Sequence, residues 1–440
     1  MEQTTVKQGR IAGVEKEGYT VFWGVPYAQP PVGKLRWRAP QEPLPWEGVY
    51  RADSFPSRSM QGKDAEGFYD NEFYDEPEYM TPFSEDSLYL NIWTPAKQAG
   101  EKLPVAFWIH GGAFMHGFGH EKEFDGAAYC KRGVILVTVN YRLGPFGFLA
   151  HPWLSQENEA DGLPAVSGNY GILDQIAALK WVRENIGAFG GDPENITVFG
   201  QSAGCMSVQT LVSTPLTKGM IAKAILQSGT GLSYDHTLTQ AQQEGVEFAA
   251  GAGVNSLREM RALSAEQVMA EAGPLAMRSF ATLRLVYTPV MDGVVLEGGY
   301  DAALEQGTIH DIPYMVGSTR DDITTSPDEV AKGDLGIVYE GCKKWGQALL
   351  KNGRAPAWLY YFTRHLPGDD AGAFHSSELW YTFGTCERCW RPFTEADAAL
   401  SEQMVDCWTN FMKTGDPNGA GLPRWEPYRE DKDIRIFDIQ

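Results

Sequence analysis

Long apolar runs are missing. No stretch of the 440 residues holds about eighteen or more consecutive apolar side chains, the length that crosses a bilayer, so no membrane span is expected. Positive charge is in the minority: 37 lysines and arginines stand against 57 aspartates and glutamates, for a net charge of −20. Polyanions attract Lys and Arg above all, so neither nucleic acid nor an anionic membrane is expected as a partner. Cysteine is scarce. The 6 thiols, at positions 130, 205, 342, 386, 389 and 407, are too few for a disulfide scaffold in a chain of this length and fit a reducing compartment. Cys386 and Cys389 have metal-like spacing, but no second Cys or His pair follows at zinc-site distance, so they are read as free thiols and no metal is expected. Met1 to Arg10 mixes charged and polar residues without the apolar core of a signal peptide, and the expected location is cytoplasmic.

What is present suits a deep core. Hydrophobic residues make up 43% of the chain and 13 tryptophans are among them, enough for a large interior and an aromatic-lined pocket for a small molecule. The length exceeds the usual domain, yet open sheets of large α/β enzymes keep such chains in one unit, so residues 1–440 are expected to form one domain. The middle of the chain alternates apolar runs with amphipathic stretches, the pattern of strands and helices wound into a mostly parallel sheet. Strands are expected at Leu103 to Ile109, Val134 to Asn140, Asn195 to Phe199, Ala222 to Gln227, Ile312 to Gly317, Ala357 to Thr363 and Ile434 to Ile439. Helices are expected at Asp174 to Ile186, stopped by Gly187, and at Cys205 to Val212, Gln240 to Gly251, Ser264 to Glu271 and Glu395 to Lys413. The acidic, aromatic segment Asp64 to Glu85 shows no periodicity and reads as a surface loop, either covering a site or simply solvated.

One turn carries chemistry. Gly200-Gln201-Ser202-Ala203-Gly204 follows the Asn195 to Phe199 strand and precedes a helix, the context in which a Gly-x-Ser-x-Gly turn presents a serine above a sheet. Serine is a weak nucleophile at neutral pH, so acyl transfer also needs a base, an acid to orient it, and donors for the oxyanion. His110-Gly111-Gly112-Ala113-Phe114 directly follows another strand, and its small residues bring backbone N–H groups close to a substrate. The expected donors are the amides of Gly112, Ala113 and Ala203, with His110 anchoring the loop beneath them. After the serine come His236, His310, His365 and His375, of which the first two precede the acid candidates. Those candidates, Asp321 and Asp322, follow the Ile312 to Gly317 strand at the end where α/β sites form. Either aspartate, and either His365 or His375, satisfies this pattern.

Beyond these residues the chain resembles the type-B carboxylesterase and cholinesterase family nearly end to end. The resemblance rests on Phe22 to Gly33, on Glu85 to Ile92, on His110 to Phe114, on Asn140-Tyr141-Arg142-Leu143-Gly144, on Asn169 to Gln175, on Phe199 to Gly204 and on Asn410 to Asn418. It implies an α/β-hydrolase fold, with a large mostly parallel sheet flanked by helices. By position, Ser202 matches the family's nucleophile and His375 the histidine of a Gly-x-x-His-x-x-Glu loop. The family's acid segment usually reads Gly-x-Asn-x-Asp-Glu-Gly, which places Asp322 at the glutamate's position, one methylene shorter, with Asp321 as the alternative. Ser87 stands where secreted members carry a disulfide cysteine, as in bacterial-type intracellular members. Gln201 replaces the glutamate that faces a cationic substrate in cholinesterases, which disfavours choline esters. Cys205 occupies a place where glycine is common and is read as a packing residue close enough to the site to react. The interval from Asp322 to His375 is short for the family, implying a trimmed helical cap and a more open pocket. The implied activity is hydrolysis of small-molecule carboxylic esters without metal or cofactor. A non-catalytic adhesion or binding protein of the same family, or an amidase or detoxifying hydrolase with the same machinery, is the alternative.

Overall fold

The computed structural model describes residues 2–62, 67–232, 236–281, 285–323, 325, 329–330 and 332–439. Its centre is a 10-stranded sheet. In chain order the strands are β1 (Val14–Lys16), β2 (Tyr19–Pro26), β3 (Tyr89–Thr94), β4 (Leu103–Ile109), β5 (Ile135–Val139), β6 (Gly191–Gln201), β7 (Lys223–Gln227), β8 (Tyr314–Thr319), β9 (Trp358–Phe362) and β10 (Arg435–Phe437). Across the sheet they lie in the order β10-β9-β8-β7-β6-β4-β5-β3-β2-β1. Strands β4 to β10 pair in parallel, while β3, β2 and β1 add an antiparallel edge. A small sheet of Gln3–Val6, Gly9–Ala12 and Val49–Arg51 stands apart from it.

The main helices are α1 (Phe68–Phe73), α2 (Tyr170–Asn185), α3 (Ala203–Ser213), α4 (Leu238–Gly251), α5 (Ala265–Ala281), α6 (Gly336–Lys351) and α7 (Glu395–Thr414). They cover both faces, which explains the unbroken apolar runs of the central strands. Successive side chains of a strand point to opposite faces. Val105, Phe107 and Ile109 of β4 accordingly enter one core with Leu179 of α2, Val208 of α3 and Trp345 of α6. Ala106 and Trp108 enter a second core with Met404, Trp408 and Phe411 of α7. This large, mostly parallel sheet flanked by helices is the fold class expected from the sequence.

Several boundaries differ for local reasons. Helix α2 begins at Tyr170 and is followed by a 3-10 turn over Ile186–Phe189, and the chain turns at Gly190 (φ 85°) rather than at Gly187. Strand β6 starts at Gly191, because Gly191 pairs with Leu103 across a register shift before regular pairing resumes at Ile196. The segment expected as a surface loop is not one: α1 lies within it, burying Glu72 and Phe73, and Phe83–Ser84 pairs with Arg58–Ser59. Its first three residues, 64–66, lie outside the described residues. No described helix is long and apolar enough to cross a membrane.

Two of the sequence motifs meet in an ion pair. Arg142 donates from Nε and Nη2 to both oxygens of Asp174, each at 2.7 Å, and its amide donates to the same carboxylate at 3.0 Å. Their side chains are 4% and 0% exposed, so removing one partner strands a buried charge. Asp174→Ala is expected to lower the unfolding free energy by about 3–5 kcal/mol. Chemical denaturation would check this; a loss below about 1 kcal/mol, the scale of a surface pair, would refute it.

Candidate active site

The strand order places the site. β5 lies on one side of β4 and β6 on the other, so the connections leaving β4 and β6 part and open a crevice at the carboxyl ends of the strands. Every residue singled out for chemistry follows one of those ends. His110 follows β4, Ser202 follows β6, Asp322 follows β8 and His375 lies in the chain beyond β9.

Ser202 sits at φ 57°, ψ −124°, a strained backbone for a residue with a side chain. Its amide donates to Gln227 O at 2.9 Å, fixing the turn against β7. The flanking glycines are sterically required: a Cβ on Gly204 would lie 2.0 Å from Ile109 O, and one on Gly200 would lie 2.6 Å from the Gly204 backbone. Beside the turn runs the loop His110 to Gly117, and a Cβ on Gly111 would sit 3.1 Å from the Ser202 Cβ. Gly112, Ala113 and Phe114 all have positive φ, at 93°, 55° and 60°. Met115 and His116 donate to Gly112 O, while Gly117 donates to Gln61 Oε1 and Phe118 to Glu121 Oε1. Among the described residues no acceptor meets the amides of Gly112, Ala113 or Ala203. The Ala203 amide also opens α3, where the helix dipole favours negative charge. His110 packs its ring on Tyr141, with centroids 4.5 Å apart, and burial pushes its imidazole down to about 4, so it is neutral and structural.

His375 Nδ1 lies 2.6 Å from Asp322 Oδ1. Asp322 also accepts from the amides of Ile323 at 2.8 Å and Thr319 at 3.1 Å. Burial disfavours the charged carboxylate, but His375 and the Ile323 amide outweigh it and hold Asp322 below its ordinary value. Asp321 does a different job. It forms a backbone bridge with Phe374, its Oδ2 accepts from the Ala373 amide at 2.7 Å, and Arg320 pairs with it. It therefore ties the loop carrying His375 to the end of β8 without touching the imidazole. His365 is set apart, its Nε2 facing Asp369 O at 3.3 Å.

The histidine and serine are not joined here. No hydrogen bond links Ser202 Oγ to His375; instead His375 Nε2 faces Gln201 Nε2 at 3.1 Å. The same amide nitrogen lies 3.5 Å from His375 Nδ1, so it rests against the imidazole between the two ring nitrogens rather than along the Nε2 lone pair. Sequence reasoning compared Gln201 only with a substrate-facing glutamate, because its contact with His375 spans 174 positions. Glu378 was missed as well. It is fully buried near Asp322 and takes Gln227 Nε2 at 3.4 Å, and burial, reinforced by Asp322, lifts its carboxyl to about 7. The one available signal was its place three residues after His375. Cys205 is buried against Gly229, and burial pushes its thiol well above the ordinary range, which disfavours the reactive thiolate. Among the described residues no group of three or more His, Cys, Asp or Glu is arranged to hold a metal ion.

A family model described as the carboxylesterase family matches residues 1–335 and 338–440. The chain belongs to the carboxylesterase family. It is thereby a carboxylic ester hydrolase, and its sheet and helices are those of the α/β-hydrolase fold. It is 35% identical to the para-nitrobenzyl esterase of Bacillus subtilis, covering 99% of this chain and 94% of the relative, and 34% identical to the fumonisin B1 esterase of Sphingopyxis macrogoltabida, covering 99% and 86%. The first alignment runs over 481 positions, more than the whole of this chain, so that relative carries stretches absent here. Among carboxylesterase structures, a PNB esterase superposes with a TM-score of 0.86 at 32% identity, covering 100% of this chain and 96% of the other. A Geobacillus stearothermophilus carboxylesterase gives 0.82 at 33%, with the same coverage.

The geometry separates the aspartates. Asp322→Asn is expected to lower kcat on an aryl ester by about 10⁴-fold, because the amide no longer enforces the tautomer of His375. Asp321→Asn is expected to keep turnover within about tenfold while lowering the melting temperature, since it alters a loop tie. Steady-state kinetics of both variants would check this, and the reverse ranking would move the role to Asp321.

Glu378 gives a pH signature. Between its ordinary value near 4.5 and about 7 the folded protein keeps a proton that the unfolded chain releases, so stability falls as pH rises through that window. Glu378→Gln is expected to flatten that fall. Thermal melts of both proteins from pH 4.5 to 7.5 would show it, and parallel curves would contradict it.

Proposed function

We propose that residues 1–440 act as one catalytic domain that hydrolyses small carboxylic esters, short-chain or aryl, through an acyl-enzyme. Ser202 Oγ attacks the ester carbonyl carbon as its proton passes to His375 Nε2. Asp322 holds the imidazole by Nδ1 and stabilises the imidazolium. The amides of Gly112, Ala113 and Ala203 receive the oxyanion of the tetrahedral intermediate. Collapse breaks the bond to the alcohol oxygen, which takes the proton from His375. Water, activated by the same imidazole, then attacks the acyl-serine and releases the acid. For the first step the Ser202 hydroxyl and His375 Nε2 come within hydrogen-bond distance, a side-chain movement within the crevice. No step calls for a metal or cofactor.

The observation that carries this reading is the 2.6 Å contact between His375 Nδ1 and Asp322 Oδ1 beside a strained serine turn. The two relatives named as esterases support the reaction class. The thiols, all free, and the absence of a crossing helix among the described residues fit action in the cytoplasm. Ser202→Ala is expected to reduce turnover of a short-chain aryl ester by about 10⁶-fold without changing the melting curve. Turnover near the wild-type rate would refute the assignment.

A further inference from the structure

The loop bearing His375 is strained at its next residue. Ser376 has φ 81° and is buried, a conformation that persists only where surrounding contacts hold it. The carbonyl of His375, which belongs to the peptide joining those two residues, accepts the Tyr69 hydroxyl at 3.1 Å. Tyr69 belongs to α1, a helix of six residues, too short to hold its own shape in water. Its seat comes from Glu72, 1% exposed, one turn further along. The Glu72 carboxylate accepts from Trp380 Nε1 at 2.9 Å, Trp390 Nε1 at 3.0 Å and Arg391 Nε at 3.0 Å, with the Cys389 thiol at 3.5 Å. Arg391 continues to Asp369 and lies under Phe374, the residue before His375. Phe68 of α1 meets that same ring edge-on, with centroids 4.8 Å apart.

We propose that Tyr69 is a positioning residue for His375 and that Glu72 is the pin that fixes Tyr69 in place. The inference rests on the reading of His375 as the base. Tyr69 touches the backbone of the histidine, and its hydroxyl end is buried while the residue as a whole remains 42% exposed. Its hydroxyl limits the ways in which the His375–Ser376 peptide can relax, and thereby keeps the imidazole directed into the crevice. Burial raises the hydroxyl above its ordinary value, with Asp322, Glu378 and Glu72 adding to the rise, so it stays a donor throughout the neutral range.

Tyr69→Phe keeps the ring and removes only this bond. It is expected to lower kcat about fivefold on aryl and alkyl acetates alike, with KM changed less than about twofold. Glu72→Gln is expected to do the same, and the double variant to lose no more than the worse single one, because both act through one element. A rise in KM confined to aryl esters would overturn the proposal by making Tyr69 a substrate contact. Unchanged kcat in Tyr69→Phe, or multiplicative losses in the double variant, would overturn it too. Failure of the unmodified protein to be labelled at Ser202 by a fluorophosphonate would instead remove the esterase reading on which it stands.

Discussion

The site depends on how closely helix α3 approaches the end of strand β4. At Gly204 the helix backbone lies so near Ile109 O that even a methyl group is excluded. That approach forces Ser202 into its strained turn, brings the His110 loop against the serine, and leaves the first amide of α3 open toward the same space. The cost of such backbone is of order 1–3 kcal/mol per residue and must be met elsewhere. Here α3 is buried on all sides from Ala203 to Val212, so apolar packing holds the helix down against the strain.

Charge is handled by pairing inside the molecule. Arg142 and Asp174 neutralise one another beneath the crevice, Glu72 and Arg391 do so beside it, and Asp322 is balanced by the imidazole it faces. At Glu378, and at Glu121 and Glu123 behind the oxyanion loop, burial outweighs the nearby charges and raises the carboxyl instead. An acidic chain thus carries several carboxyl groups close to its site, some matched by a cation and others raised by burial. Gln201 fits the same pattern: a neutral amide meets the histidine, so Asp322 is the carboxylate nearest the imidazole.

Much of this could be read from residue order. The apolar run of β4 and the β-branched run of β5 located those strands, and the glycines around Ser202 marked the turn because only glycine tolerates that approach. The resemblance singled out Asp322 and His375, which the fold brings within hydrogen-bond distance. What escaped was long-range and polar. Helix α1 has six residues and no periodicity to detect, and its partner Arg391 lies 319 positions away. Asp321 and Asp322 are adjacent and chemically identical, and only the bridge to Phe374 turns one toward the loop and leaves the other for the imidazole. The amide of Gln201 on His375 likewise follows from strand order, which no local pattern carries.

The central claim is a covalent one: the acyl group passes through Ser202. The most direct measurement is rapid acid quench of the protein with an aryl ester, followed by intact mass and peptide mapping. The account predicts a single acyl adduct on the peptide containing Ser202, formed as the aryl alcohol is released. An adduct on another residue, or turnover with no adduct at any quench time, would contradict it.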